Sequence, residues 1–297
     1  MKVIKPVEFT SAMLTASNVP ETDYPEWDVA TAYAVLDRVI YDHAIYEAAQ
    51  ANTGKQPDTN PLEWTYISAT NKYLMFDAEV STQTIVDSPL QVTVAPGLIN
   101  SMAMLELQGT QISITGTDGA GGPVIYQHDQ PLEGSVVSDW YEYFFEPFSP
   151  LTELVLTDLP AYNSLHVSVD INSGSVVSPV ACGALIFGTN YDIGRAERGA
   201  TAGILDYSRK ETSSTGTARF QKRRFSRRAS LRTVVDNAML NKIHRLLSGL
   251  RATPCVWIGT QDPGYGFLTV FGFYRDFSID VAYAHTSYCS LEIEGLV

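Results

Sequence analysis

Between Lys72 and Arg195 the chain contains neither lysine nor arginine. Fourteen acidic residues, Asp77 to Asp192, stand in that stretch, giving it a formal charge of −14. The balance then reverses. Arg195 to Arg251 holds fourteen basic and four acidic residues, a formal +10. A composition shift this abrupt signals a boundary between parts of a chain. With a second boundary near residue 70, three parts follow: residues 1–70, 71–192 and 193–297.

Other scarcities exclude whole classes. Three cysteines, Cys182, Cys255 and Cys289, make neither a disulfide framework nor a metal knuckle, and they read as small buried hydrophobes in a reducing compartment. No apolar run approaches the ~20 residues that a membrane-spanning helix needs, so no membrane insertion is expected. Residues 1–13 carry Lys2, Lys5 and Glu8 and lack the apolar core of a secretory signal. The net charge of −13 works against general nucleic-acid binding, whose affinity comes from neutralising phosphates.

Signs of catalysis are also missing. The five histidines, His43, His128, His166, His244 and His285, stand singly, without the spacing of metal-ligand pairs. No Gly-x-Ser-x-Gly elbow supplies a hydrolase nucleophile. Gly116 to Gly122 is glycine-rich, but Pro123 leads on into a strand pattern rather than a helix, so it reads as a hairpin loop and not a phosphate cradle. Asp139 and Glu142 flank Trp140, yet in so acidic a chain a nearby carboxylate pair is no sign of glycoside hydrolysis. The expectation is a protein that is not an enzyme and has no cofactor and no metal.

What the chain does have is hydrophobic residues (45%), 21 glycines and 16 tyrosines, the balance of a globular, turn-rich β protein. In residues 27–64, short strands at Val39–Tyr41 and Ile45–Ala48 flank a turn at Asp42-His43-Ala44. So short a segment needs large side chains for a core, and Trp27, Tyr33, Tyr46 and Trp64 are expected to pack against one another. The acidic part reads as short strands at sandwich spacing: Tyr73–Val80, Leu90–Val94, Ser101–Leu107, Gln111–Thr115, Val124–Gln127, Trp140–Phe145, Glu153–Leu156, Leu165–Ile171 and Ala181–Phe187. An antiparallel, jelly-roll-like β-sandwich with no helix longer than two turns is predicted, with Asp118-Gly119 and Asn172-Ser173-Gly174 in turns.

The last part reads as strands over Gly203–Tyr207 and Thr217–Val235, the second interrupted by a basic cluster. One helix follows, Met239–Leu250, capped by Asp236 or Asn237, with Met239, Ile243, Leu246, Leu247 and Leu250 as its apolar stripe. Strands over Cys255–Gly259, Phe267–Phe273 and Tyr288–Ile293 complete it, with a hairpin turn at residues 261–264. The fold class is therefore mainly β: a small aromatic N-terminal module, a central sandwich, and a C-terminal β-sheet part with one helix.

Arg219, Lys222, Arg223, Arg224, Arg227, Arg228 and Arg232 form a basic run with Phe220 and Phe225 interleaved. Such a run suits either a nucleic-acid groove or a subunit interface. The acidic neighbour repels a polyanion, so the interface is preferred and nucleic acid is an unlikely partner.

Two stretches carry resemblances. Trp27, Tyr33, Asp37-Arg38-Val39, Tyr46-Glu47-Ala48, Asn52, Pro57 and Trp64 have a spacing that resembles the small chitin-binding carbohydrate modules of bacterial chitinases, which recur in phage tail and tail-fibre proteins. In that family the conserved aromatics mostly build the core, and exposed aromatics after the Tyr-x-Ala strand hold sugar. Here those positions read Ala49-Gln50-Ala51, which cannot stack on a pyranose face. Residues 180–297 are similar, in pattern and order, to structural proteins of phage tail gene clusters. Together the resemblances imply a structural component of a bacteriophage tail tip or baseplate, made in the host cytoplasm and carried in the virion. The partners implied are further copies of the chain, other tail proteins and a host cell-surface glycan. A carbohydrate-binding adhesin is the alternative they leave open.

Overall fold

The computed structural model describes residues 1–134, 139–145, 150–174, 178–212, 216–262 and 264–296; for Glu142 and Tyr143 it describes the backbone alone. Pro263, in the hairpin turn expected over 261–264, lies outside the described residues. Strands account for 51% and helices for 9%, so the molecule is mainly β.

Two early strands, β1 (Lys2–Pro6) and β2 (Leu14–Ser17), precede the aromatic module. The module holds β3 (Ala32–Tyr33), β4 (Arg38–Tyr41), β5 (Ala44–Ala48), β6 (Asn52–Thr53) and β7 (Trp64–Ala69), with β4-β5-β7 as a three-stranded sheet and β3 paired to β6. Asp42 and His43 both have positive φ, 46° and 64°, and Tyr41 pairs directly with Ala44. The turn is thus a two-residue hairpin connection whose left-handed pair matches the twist of the strands, and Ala44 belongs to β5.

Eight strand positions then follow: β8 (Thr84–Asp87), β9 (Leu90–Val94), β10 (Ser101–Leu105), β11 (Gln111–Asp118), β12 (Val124–Pro131), β13 (Glu153–Leu156), β14 (Leu165–Asn172), and an eighth divided into β15 (Pro179–Cys182) and β16 (Ala184–Asp192). Counted one to eight, one sheet runs 5-4-7-2, as β12-β11-β14-β9. The other runs 1-8-3-6: β8 pairs β15, β16 pairs β10, and β10 pairs β13. This is the jelly-roll order. Alternation drives it, because Leu165, Val167, Val169 and Ile171 of β14 are buried while the residues between them are half-buried. Their face meets Met102, Met104, Leu185 and Phe187 from the opposite sheet in one core.

Three expected strands come out differently. Ala181–Phe187 breaks at Gly183, where an added Cβ would sit 2.8 Å from Glu106 Cβ and 2.9 Å from the Val80 carbonyl oxygen. Tyr73–Val80 is not a strand but contains a 3₁₀ turn, Leu74–Phe76, begun by the Thr70 carbonyl accepting from the Tyr73 and Leu74 amides. Trp140–Phe145 is a short helix, α1. Its aromatics recur at four-residue spacing, so Trp140 stacks near Phe144 and Tyr141 near Phe145 on neighbouring turns.

The remaining elements are β17 (Arg195–Ala196), β18 (Thr201–Asp206), β19 (Arg209–Thr212), β20 (Ala218–Gln221), β21 (Phe225–Asp236), α2 (Leu240–Gly249), β22 (Cys255–Ile258), β23 (Thr269–Asp280) and β24 (Thr286–Gly295). They extend the jelly roll's second sheet into one antiparallel path, β13-β10-β16-β1-β22-β23-β24-β21-β17, with β18 also paired to β21. Here β1 is the joint: Lys2 pairs with Asp192 on one side and Ile258 on the other. Hydrogen bonding therefore runs through the charge break near residue 192. Likewise β2 pairs with β9, so residues 2–17 pack with the jelly roll and the C-terminal strands. Asp236 begins the helical segment, its carboxylate accepting from the Ala238 amide at 2.9 Å. Ile243, Leu247 and Leu250 then pack on Val3, Leu231, Trp257 and Leu291.

Candidate functional site

β18 and β19 run out from the sheet and return as β20 and the first half of β21, forming a ribbon. Every residue of β18, β19 and β20 is exposed. Residues 201–212 of the outgoing limb reach ~40 Å at ~3.3 Å per residue. A two-stranded ribbon is at best marginally stable alone in water. This one nevertheless places Ile204, Leu205, Tyr207, Phe220 and Phe225 in solvent, with Phe220 75% exposed. Clustered exposed apolar side chains rimmed by charge are a surface for binding.

The basic run distributes along the ribbon and divides into two sets. Arg224 Nη1 lies 3.7 Å from Glu79 Oε2. Arg227 forms an ion pair with Glu153 through Nη1, and its Nη2 is 3.5 Å from Glu106 Oε1. Arg232 Nε is 3.5 Å from Glu197 Oε2, with the guanidinium 4.0 Å above the Tyr288 ring. These three arginines are neutralised within the chain. Arg219, Lys222, Arg223 and Arg228 are exposed, and among the described residues no salt bridge reaches them.

Two further cations escaped the sequence reading. Strand pairing sets Arg209 opposite Gln221 and Lys210 opposite Phe220; Arg209 Nε is 4.0 Å from Glu211 Oε1 on the same strand, so β19 adds one net positive charge to the ribbon. Lys210 Nζ stands 5.9 Å from the centre of the Phe220 ring. Their signal was in the sequence only once the two limbs were seen to pair.

A cleft of about 310 Å³ sits at the ribbon root, lined by Leu105, Glu153, Phe225, Arg227, Phe271 and Leu296 among others. Glu153 is largely buried there, and its Oε2 has no hydrogen-bond partner among the described residues. Arg227 and Glu153 line the cleft together, so an ion pair of opposite charges stands in its wall.

In the module, Tyr33 and Trp64 are buried, edge to face with ring centroids 5.2 Å apart. Trp64 Nε1 donates to the Lys55 carbonyl at 2.8 Å. Trp27 and Tyr46 are half-buried against this pair; Trp27 lies edge-on to Tyr41 and Tyr46 edge-on to Tyr66. Ala49, Gln50 and Ala51 occupy the exposed loop after β5. His43 ties the module to the body: its Nδ1 is 2.9 Å from Glu21 Oε1, and its Nε2 is 3.4 Å from the Tyr73 hydroxyl.

Among the described residues, no group of three or more His, Cys, Asp or Glu side chains is arranged to hold a metal ion, and no helix is long and apolar enough to cross a membrane. Comparison with protein-family models gives no match, and comparison with curated proteins gives no significant one.

Proposed function

We propose that the chain is a structural subunit of a bacteriophage tail tip or baseplate, repeated around the tail axis and joined to its copies through the basic ribbon. The observation that carries this reading is the ribbon itself: β18, β19 and β20 are exposed throughout, yet they present aromatics and cations together. A monomer gains little from such an arm, because exposed ion pairs contribute only ~0–1 kcal/mol each. Between subunits the same charges set register and reject wrong partners. Closed rings use head-to-tail contacts, and a subunit with a −14 stretch beside a +10 stretch is suited to them. The phage assignment rests on the resemblance of residues 180–297 and of the aromatic module. The alanines of Ala49-Gln50-Ala51 favour a spacer or docking role for that module over a sugar platform.

Sedimentation velocity and electron microscopy of the purified full chain test the assembly. Closed rings that dissociate as salt is raised are expected. A chain that stays monomeric at every concentration and salt overturns the repeated-subunit reading. Mass spectrometry of purified phage particles tests the location, and absence of the chain from them overturns it.

A further inference from the structure

The excursion between β12 and β13 exposes an unusual surface. Trp140, Tyr141, Phe144 and Phe145 of α1 are 79%, 71%, 66% and 69% exposed. Four large aromatics on one six-residue helix are a concentration of apolar area characteristic of interfaces. The surrounding sequence decides what kind of partner fits. From Glu133 to Pro150 the chain carries Glu133, Asp139, Glu142 and Glu146 and no lysine or arginine. An anionic membrane or a nucleic acid is repelled by that charge. A partner that brings cations and aromatics is attracted, since guanidinium and ammonium groups stack on aromatic faces and pair with carboxylates.

We propose that the ribbon of one copy docks on the aromatic helix α1 of a neighbouring copy. This rests on the repeated-subunit reading and names the surface that receives the ribbon. The ribbon supplies the complementary chemistry: Arg219, Lys222 and Arg223 have no salt bridge among the described residues, and Phe220 is exposed between them. The chain already uses this chemistry internally, where Arg232 lies over Tyr288.

The anchors of the two surfaces are fixed by the fold. Glu133 pairs with Pro150 to close the excursion, and three residues later Glu153 holds Arg227 at the ribbon root. The ends of the segment that carries α1 and the root of the ribbon are thus neighbours in the fold. Glu211, opposite Arg219, lies seven residues along the outgoing limb from Ile204, the partner of Arg227, a contour of ~23 Å. The outer cations Arg219, Lys222 and Arg223 are exposed there, open to a neighbouring copy.

Two differently tagged full-length chains test this, one with Tyr141→Cys and one with Phe220→Cys. The native cysteines are all buried and do not compete. Mixing and mild oxidation are expected to give a disulfide joining the two tags. Absence of that mixed product, or a link formed only within a chain carrying both substitutions, overturns the proposal. In parallel, Trp140→Ser, Tyr141→Ser, Phe144→Ser and Phe145→Ser together are expected to weaken self-association at least tenfold while circular dichroism is unchanged. If ribbon charge reversal abolishes association and this aromatic variant leaves it within twofold, the docking site is wrong and the ribbon interface stands. A wild-type chain that never associates removes both. Binding of the wild-type chain to anionic vesicles or to glycans that the aromatic variant loses, with association intact, assigns α1 to another partner and also overturns it.

Discussion

Arg227 on β21 forms an ion pair with Glu153 on β13, although these strands stand near opposite ends of one sheet path. The sheet must curl for them to meet. Both groups are largely withdrawn from water, with Glu153 only 12% and Arg227 32% exposed. Removing one partner from such a pair leaves the other charge poorly solvated.

Arg227→Ala is therefore expected to destabilise the fold by on the order of 2 kcal/mol, reduced from the fully buried case because the arginine keeps some solvent contact. Urea unfolding measures it. The double variant with Glu153→Gln should lose less than the two single losses combined; strict additivity would show that the pair is not coupled.

That pair also separates structural arginines from assembly arginines. Reversing Arg219, Lys222, Arg223 and Arg228 to Glu should abolish self-association and leave circular dichroism and thermal stability within error. Wild-type association should fall steeply between low salt and ~0.1 M and beyond, where the screening length is ~10 Å or less. Salt-independent association would point to an apolar contact instead.

The cysteines give a pH prediction. Burial pushes the Cys182 and Cys255 thiols up to about 12 and the Cys289 thiol up to about 11, from an ordinary value of 9.0. An acid whose value is raised by folding favours the fold in its neutral form. The contribution is complete below pH 9 and is lost as pH climbs through the folded values. The urea midpoint should hold from pH 7 to about 8.5 and decline between pH 9 and 12. At pH 8 the thiols should resist alkylation until denaturant is added. Rapid labelling of the native chain would contradict the burial.

Trp64 should be the keystone of the module. It is 2% exposed and meets Tyr33 edge to face. Trp64→Ala is expected to cost on the order of 3–5 kcal/mol and to unfold residues 27–64. Limited proteolysis should then cut within the module and spare the jelly roll, and a resistant module would refute the prediction.

Much of the architecture is legible in local pattern. The alternation of Leu165 to Ile171, the turn clusters and the apolar stripe from Ile243 to Leu250 each report which face is buried, and burial follows it. What the pattern cannot show is pairing between distant segments. Lys2 to Pro6 is too short for a period, and its partners lie at residues 188–192 and 256–258. The charge break near residue 192 records surface composition, which hydrogen bonding ignores. Trp140 to Phe145 has strand-forming residues, but β-propensity expresses fit to a half-buried surface, and no strand among the described residues pairs with it. For the candidate site, the cations and aromatics were readable one by one. Which of the cations form salt bridges among the described residues depended on Glu79, Glu106 and Glu153 from the acidic part and on Glu197 beyond it.

The position of β1 has a consequence for how the molecule is made. It sits between strands whose paired residues follow it by 190 and 256 positions, as in Lys2 with Asp192 and Lys2 with Ile258. At ~5–20 residues per second, a ribosome takes about ten to fifty seconds to supply the later partner. Until then Val3 and Ile4, both fully buried in the finished molecule, lack part of their cover, Trp257 for Val3 and Val256 and Ile258 for Ile4. Synthesis halted before Cys255 would leave β1 with one open edge, a template for pairing between nascent chains. The central sheet is thus completed last, by the same strands that carry the fold beyond the jelly roll.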